Sequence, residues 1–297
     1  MRVLYKVALL LSWMFGLSLL FVLPAQAQFI LSPEALSVQL KHVVVLDARS
    51  EQSYETGHIE GALSFPVDWT FANKSLDGAI VQPAQAQAIL RQLGISADSK
   101  VVVYDSGSMM DAARLFWMLE VYGIKQVQVL DMGYAGWTVL GYAQSLDLPS
   151  RTPSDYVARI DHHRIATKLT TLAATQNPQQ IIIDARGASD YVGKTSTAHR
   201  YGHIPEARSI PAMQNVINTE DRGAQFLSLA ALNRVYADVP KDKRVILYCA
   251  IGRVSSANYL ALRSLGYDVA NYDASWQEWG NDSNLPIENP SNSILGN

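Results

Sequence analysis

The chain has a single cysteine, Cys249, among its 297 residues. That scarcity excludes an internal disulfide framework, a paired-cysteine redox motif and any cysteine-rich zinc or iron–sulfur site. An excess of positive charge is also lacking: 24 Lys plus Arg stand against 27 Asp plus Glu, a formal net charge of -3, with the basic residues dispersed. Nothing in that distribution would neutralise a run of phosphates, so nucleic acid is not expected as a partner. With 48% hydrophobic and only 17% charged residues, disorder and coiled coil are excluded too. At roughly 150 residues per domain, the length gives about two domains with sizeable cores.

The first 27 residues read as a targeting segment. Arg2 and Lys6 form a basic start, the 17 residues from Val7 to Leu23 are uncharged and largely apolar, and Ala25-Gln26-Ala27 places small residues where a signal peptidase cuts. The alternative is an uncleaved anchor, for which the run is at the short edge of a bilayer span. Cleavage leaves 22 basic against 27 acidic residues, a net -5. The expectation is an exported protein, periplasmic or secreted, with no membrane contact once the signal is removed.

The remainder is a duplication. The first copy reads Val43-Val44-Val45-Leu46-Asp47-Ala48-Arg49, Gly57-His58-Ile59-Glu60-Gly61-Ala62, Val101-Val102-Val103-Tyr104-Asp105 and Leu130-Asp131 through Trp137. The second reads Ile181-Ile182-Ile183-Asp184-Ala185-Arg186, Gly202-His203-Ile204-Pro205-Glu206-Ala207, Val245-Ile246-Leu247-Tyr248-Cys249 and Tyr272-Asp273 through Trp279. Offsets of 137, 145, 144 and 142 residues over four ordered motifs imply two homologous domains. They are expected at 28–145 and 158–297, joined by a polar, proline-bearing linker at 146–157.

Within each copy, short β-branched runs alternate with helical stretches. Val43 to Leu46, Val101 to Tyr104, Val127 to Leu130, Ile181 to Ile183 and Val245 to Tyr248 read as strands buried on both faces. Ala112 to Tyr122 and Ser255 to Leu265 carry helical apolar spacing and end at Gly123 and Gly266, plausible C-caps. The fold class is therefore α/β, each domain a mostly parallel sheet with helices on both faces, and active loops belong at the carboxyl ends of the strands.

Cys249 falls at such an end. Ala250-Ile251-Gly252-Arg253-Val254 passes from a buried strand into a helix, so successive backbone N–H groups and the helix N-terminus present partial positive charge to an anion at the centre. Arg253 adds a full charge, and Ser255 and Ser256 either cap the helix or donate to a bound oxyanion. A cysteine protease would need a positioned histidine, to which the spacing of His199 and His203 commits nothing. A Cys-x5-Arg phosphatase needs arginine where Ser255 stands, and a disulfide oxidoreductase lacks its second cysteine. A thiolate that accepts one soft atom from an anionic donor and hands it on remains.

These residues resemble the rhodanese family, specifically its tandem-domain sulfurtransferases of the thiosulfate and 3-mercaptopyruvate type. The resemblance rests on the paired Asp-Ala-Arg strand ends, the paired Gly-His-Ile motifs, Cys249 with Gly252, and Asn271-Tyr272-Asp273-Ala274-Ser275-Trp276-Gln277-Glu278-Trp279-Gly280. It implies two tandem rhodanese-like domains. The second carries the cysteine; in the first, Asp105 stands at the matching position and no chemistry is expected. Two departures concern the donor: Ala250 follows the cysteine where related bacterial loops carry arginine, and Asp190 occupies the basic position of vertebrate-like members.

The resemblance implies a sulfurtransferase in which thiosulfate or 3-mercaptopyruvate loads a persulfide on Cys249 and a thiophilic acceptor, cyanide or a thiol, unloads it. Cys249 is the expected nucleophile. The substrate-binding candidates are Ala250, Ile251, Gly252, Arg253, Val254 and Ser255, with the loop amides stabilising the developing charge. Asp184 is a further candidate beside them, although its recurrence as Asp47 argues for a structural ion pair with Arg186. His58 and His203 read as loop fasteners, and Trp276 and Trp279 as packing. No metal or organic cofactor is called for, and a monomer is expected. The rivals are a non-catalytic persulfide- or anion-binding module and a phosphatase or oxyanion reductase on the same loop.

Overall fold

The structure is a computed structural model that describes residues 29–73 and 78–291. The segment read as a targeting signal lies outside the described residues. Two five-stranded sheets form the frame, and every pairing within them is parallel. The first runs Leu63–Ser64, Val44–Asp47, Lys100–Tyr104, Gln126–Leu130, Ile30–Leu31 across the sheet, and the second runs Arg208–Ser209, Gln180–Asp184, Arg244–Tyr248, Val269–Tyr272, Ile165–Ala166. Strand order is the same in both, as the repeated motifs require. The central strands are buried along nearly their whole length, which explains why they read as continuous apolar runs and not as alternating ones.

The Asp-Ala-Arg motif at each strand end has a definite structural purpose. Arg49 closes on Asp47 through Nε and Nη2 and sends Nη2 on to the Gly57 carbonyl at 2.6 Å. Arg186 repeats the arrangement on Asp184 and reaches the Gly202 carbonyl at 2.7 Å. Tyr104 donates to Asp47 at 2.5 Å while accepting from the Ile59 amide, and Tyr248 donates to Asp184 at 2.6 Å while accepting from the Ile204 amide. Each guanidinium also lies over an aromatic ring, Arg49 over Tyr134 and Arg186 over Trp276. His58 and His203 each bond a carbonyl in the preceding helical turn and stack on Tyr54 and Tyr191. Charge, hydroxyl and ring thus lock the Gly-His-Ile loop to the sheet in both copies.

The helices Met110–Val121 and Ser255–Ser264, which follow the two strand-end loops, pack on each other between the sheets. Both are buried nearly all round, and one continuous apolar core runs through both halves of the chain. Phe116 meets Tyr259 across this seam, and Glu120 accepts from Tyr259 and Arg263.

Each domain also sends an arm across the other's strand-end loop. The strands Val216–Thr219 and Gly223–Phe226 form a hairpin whose Ala224 amide bonds the Gly107 carbonyl and whose Phe226 amide bonds the Asp131 carboxylate at 2.8 Å. In reciprocal fashion, the Ile80 amide of the first domain bonds the Asp273 carboxylate at 2.7 Å. The repeated Leu-Asp and Tyr-Asp motifs are therefore the receivers of the partner domain's arm. Burial raises the pKa of both carboxyls above the usual range, against the pull of the amides they accept.

Tyr104→Phe and Tyr248→Phe are each expected to lower unfolding stability by about 2 kcal/mol, because a buried carboxylate loses a charge-assisted bond and a loop amide loses its acceptor. Urea denaturation followed by tryptophan fluorescence measures it.

Candidate active site

Cys249 sits directly beyond the strand Arg244–Tyr248 and is 1% exposed. Its main chain is fixed from one side by the turn Asp273–Trp276. The Cys249 amide donates to Ser275 Oγ at 3.1 Å, its carbonyl accepts from the Trp276 amide at 3.0 Å, and the Ala250 carbonyl accepts from the Gln277 amide at 2.9 Å. The Tyr-Asp-x-Ser-Trp stretch thus acts on the cysteine through Ser275 and the backbone. Trp276 itself is fully buried under Arg186 and packs, as the sequence suggested.

The loop is then shaped by one carbonyl. Gly252 oxygen accepts from Arg114 Nη1, Ser256 Oγ and Asn271 Nδ2, each at 3.0 Å. A planar peptide points its N–H opposite its C=O, so fixing this oxygen also fixes the Arg253 N–H on the opposite side of the peptide. Gly252 has φ +69, and a Cβ there would collide with the Asp273 carbonyl and the Arg114 guanidinium. The backbone N–H groups of Ile251 to Val254 donate to no acceptor among the described residues.

The equivalent loop in the first domain shows what such amides do. Asp105, at the position matching Cys249, is fully buried, and its carboxylate accepts from the amides of Gly107, Met109, Asp111 and Ala112 at 2.8–3.3 Å and from Ser108 Oγ at 3.0 Å. Four amides and a hydroxyl converge on one anion. Burial and the nearby Asp111 charge still raise the Asp105 pKa above the usual carboxylate range.

Several sequence-derived candidates take more defined roles. Ser255 Oγ lies 3.4 Å from Cys249 Sγ and 2.7 Å from Asn271 Oδ1. Asn271 Nδ2 is committed to Gly252, so its oxygen faces Ser255, whose hydroxyl is placed to donate either to that oxygen or to the sulfur. Ser256 is tied to the Gly252 carbonyl. Arg253 neither points free into solvent nor sits alone: its Nε bonds Asp111 of the first domain at 2.5 Å. Asp184 needs correction as a substrate-side candidate. It is fully buried, and both carboxylate oxygens are engaged by Arg186 and Tyr248.

The sequence reading missed Arg114. This side chain is fully buried in the first domain's helix, lies over Phe71 and Trp117, and donates to the Thr70 hydroxyl and the Gly78 carbonyl besides Gly252. Burial pulls its guanidinium down to about 10, opposed by Asp273 and Cys249. It remains charged at neutral pH. An arginine inside Ala-Ala-Arg-Leu-Phe-Trp-Met-Leu was the available signal, since a charge in an all-apolar helix needs a buried partner.

A model of the rhodanese-like domain matches residues 32–139 and again 166–282. The chain belongs to the rhodanese family. It is 31% identical over 252 residues to the 3-mercaptopyruvate sulfurtransferase of Escherichia coli (strain K12), covering 82% of this chain and 87% of that one. It is also 31% identical over 252 residues to the sulfur carrier protein TtuD of Thermus thermophilus, covering 79% and 86%. Among solved structures, SseA from Escherichia coli, a 3-mercaptopyruvate sulfotransferase, superposes with a TM-score of 0.74 at 25% identity, over 84% of this chain and 99% of that one. The two rhodanese domains account for the repeated sheets.

Arg114→Lys keeps a buried charge but loses the planar fork that spans Gly252, Thr70 and Gly78. The variant is expected to fold and to transfer sulfur about tenfold more slowly, read as turnover beside a thermal melt; unchanged turnover would remove Arg114 from the site.

Proposed function

We propose that Cys249 is the sulfur carrier of this sulfurtransferase. It takes one sulfur atom from a small anionic donor, thiosulfate or 3-mercaptopyruvate, holds it as the sulfane sulfur of a persulfide, and gives it to a thiophilic acceptor, cyanide or a thiol. The observation that carries this reading is the Asp105 loop: the same strand end in the same chain directs four amides at an anion. Cys249 exchanges the carboxylate, which cannot take up sulfur, for a thiolate, which can.

With thiosulfate, the Cys249 thiolate attacks the outer sulfur, the donor's S–S bond breaks and sulfite leaves with the electron pair. The new Cys249 persulfide carries its negative charge on the terminal sulfur, where the amides of Ile251 to Val254 would stabilise it. Cyanide attacks that sulfur, leaves as thiocyanate and returns the thiolate, so no net oxidation occurs. Reaction with 3-mercaptopyruvate breaks a C–S bond and releases the pyruvate enolate, which takes up a proton. The relatives' names, one a 3-mercaptopyruvate sulfurtransferase and one a sulfur carrier protein, support this cycle. Export from the cytoplasm is part of the proposal, supported by the basic start and the apolar run before Ala25-Gln26-Ala27.

After incubation with either donor, the intact mass of wild-type protein is expected to rise by one sulfur and to fall back on addition of cyanide, while Cys249→Ser gains nothing. An added sulfur that persists in Cys249→Ser would overturn the assignment.

A further inference from the structure

Arg253 is the one exposed cation on the Cys249 loop, with a side chain 39% accessible, and it is held by a carboxylate from the other domain. Asp111, 19% accessible, lies 2.5 Å from Arg253 Nε. Asp68 and Asp105 add negative potential at the same guanidinium. The other nearby cation, Arg114, is buried, spends its donors on protein oxygens and faces Asp273. Position 250, next to the cysteine, is alanine. Among the described residues, the Cys249 loop therefore offers an incoming anion backbone amides but no uncompensated side-chain charge.

We propose that Asp111 sets the donor preference of the Cys249 site by holding Arg253 as its counter-ion, so that a donor anion reaches this guanidinium only in competition with the Asp111 carboxylate. This rests on the sulfur-carrier reading and deepens it. The arrangement penalises a compact dianion such as thiosulfate more than a monoanion such as 3-mercaptopyruvate, because the interaction with Asp111 scales with the charge brought in. Asp111 is a positioning residue: it acts through Arg253, while its own backbone amide serves Asp105. The first domain, which carries no cysteine, would in this way tune the chemistry of the second.

The single thiol allows a test that does not depend on sulfur transfer. Cys249 is alkylated with iodoacetate and with iodoacetamide, one anionic and one neutral, in wild type, Asp111→Asn, Asp111→Glu and the double variant Asp111→Asn with Arg253→Gln. The ratio of the two rates is expected to rise about fivefold in Asp111→Asn, to stay near wild type in Asp111→Glu, and to lose most of the gain in the double variant. In steady-state assays, Asp111→Asn is expected to lower KM for thiosulfate more than for 3-mercaptopyruvate, with kcat little changed. A rate ratio equal in wild type and Asp111→Asn, or a gain that survives loss of Arg253, would overturn the proposal. A shifted ratio without sulfur loading in any variant would uphold the charge control and count against the sulfur-carrier reading alone.

Discussion

The carbonyl oxygen of Gly252 is where the two halves of this protein depend on each other. Three donors meet on it, and one of them, Arg114, comes from the domain without a cysteine. Peptide planarity then turns the Arg253 N–H to the side of the peptide opposite that grip. The grip requires a buried arginine, which the low-dielectric seam tolerates only because its donors find protein oxygens and its plane lies over Phe71 and Trp117. The joined core, the paired helices and the reciprocal arms hold Arg114 at the distance this demands. The first domain is thus part of the active site's construction, although no reacting atom belongs to it.

Duplication explains the rest of the architecture and separates what is structural from what is chemical. Features present in both copies, such as Asp47 with Arg49 and Tyr104, and Asp184 with Arg186 and Tyr248, hold each Gly-His-Ile loop to its sheet. Features that differ carry the chemistry. At the strand end, one copy fills its ring of amides with Asp105 and the other presents Cys249. The carboxylate satisfies its loop permanently; the thiol leaves its amides for a sulfur that comes and goes. The thiol of Cys249 also has Ser255 Oγ beside it, and that hydroxyl in turn reaches Asn271.

Much of this was legible in the sequence because it is local or repeated. The buried strands are runs of β-branched residues, Gly123 and Gly266 cap the two seam helices with φ +89 and +81, and the four ordered motifs announce the duplication. The Cys249 loop was legible for the same reason, since strand, glycine and helix start lie within seven residues. What the sequence could not convey are partners brought from 100 residues or more away. Nothing in Arg253 and its neighbours indicates Asp111, and nothing near Gly252 indicates Arg114. The recurrence of Asp184 as Asp47 already pointed to the ion pair with Arg186, but not to Tyr248, which engages the same carboxylate.

The most direct test is a crystal structure of the protein after exposure to thiosulfate. A second sulfur is expected beyond Cys249 Sγ, ringed by the amides of Ile251 to Val254, with the Gly252 carbonyl still turned outward onto Arg114. A terminal sulfur directed away from those amides, or a Gly252 peptide flipped so that its carbonyl faces the sulfur, would contradict the view that the domain seam builds the sulfur-binding ring.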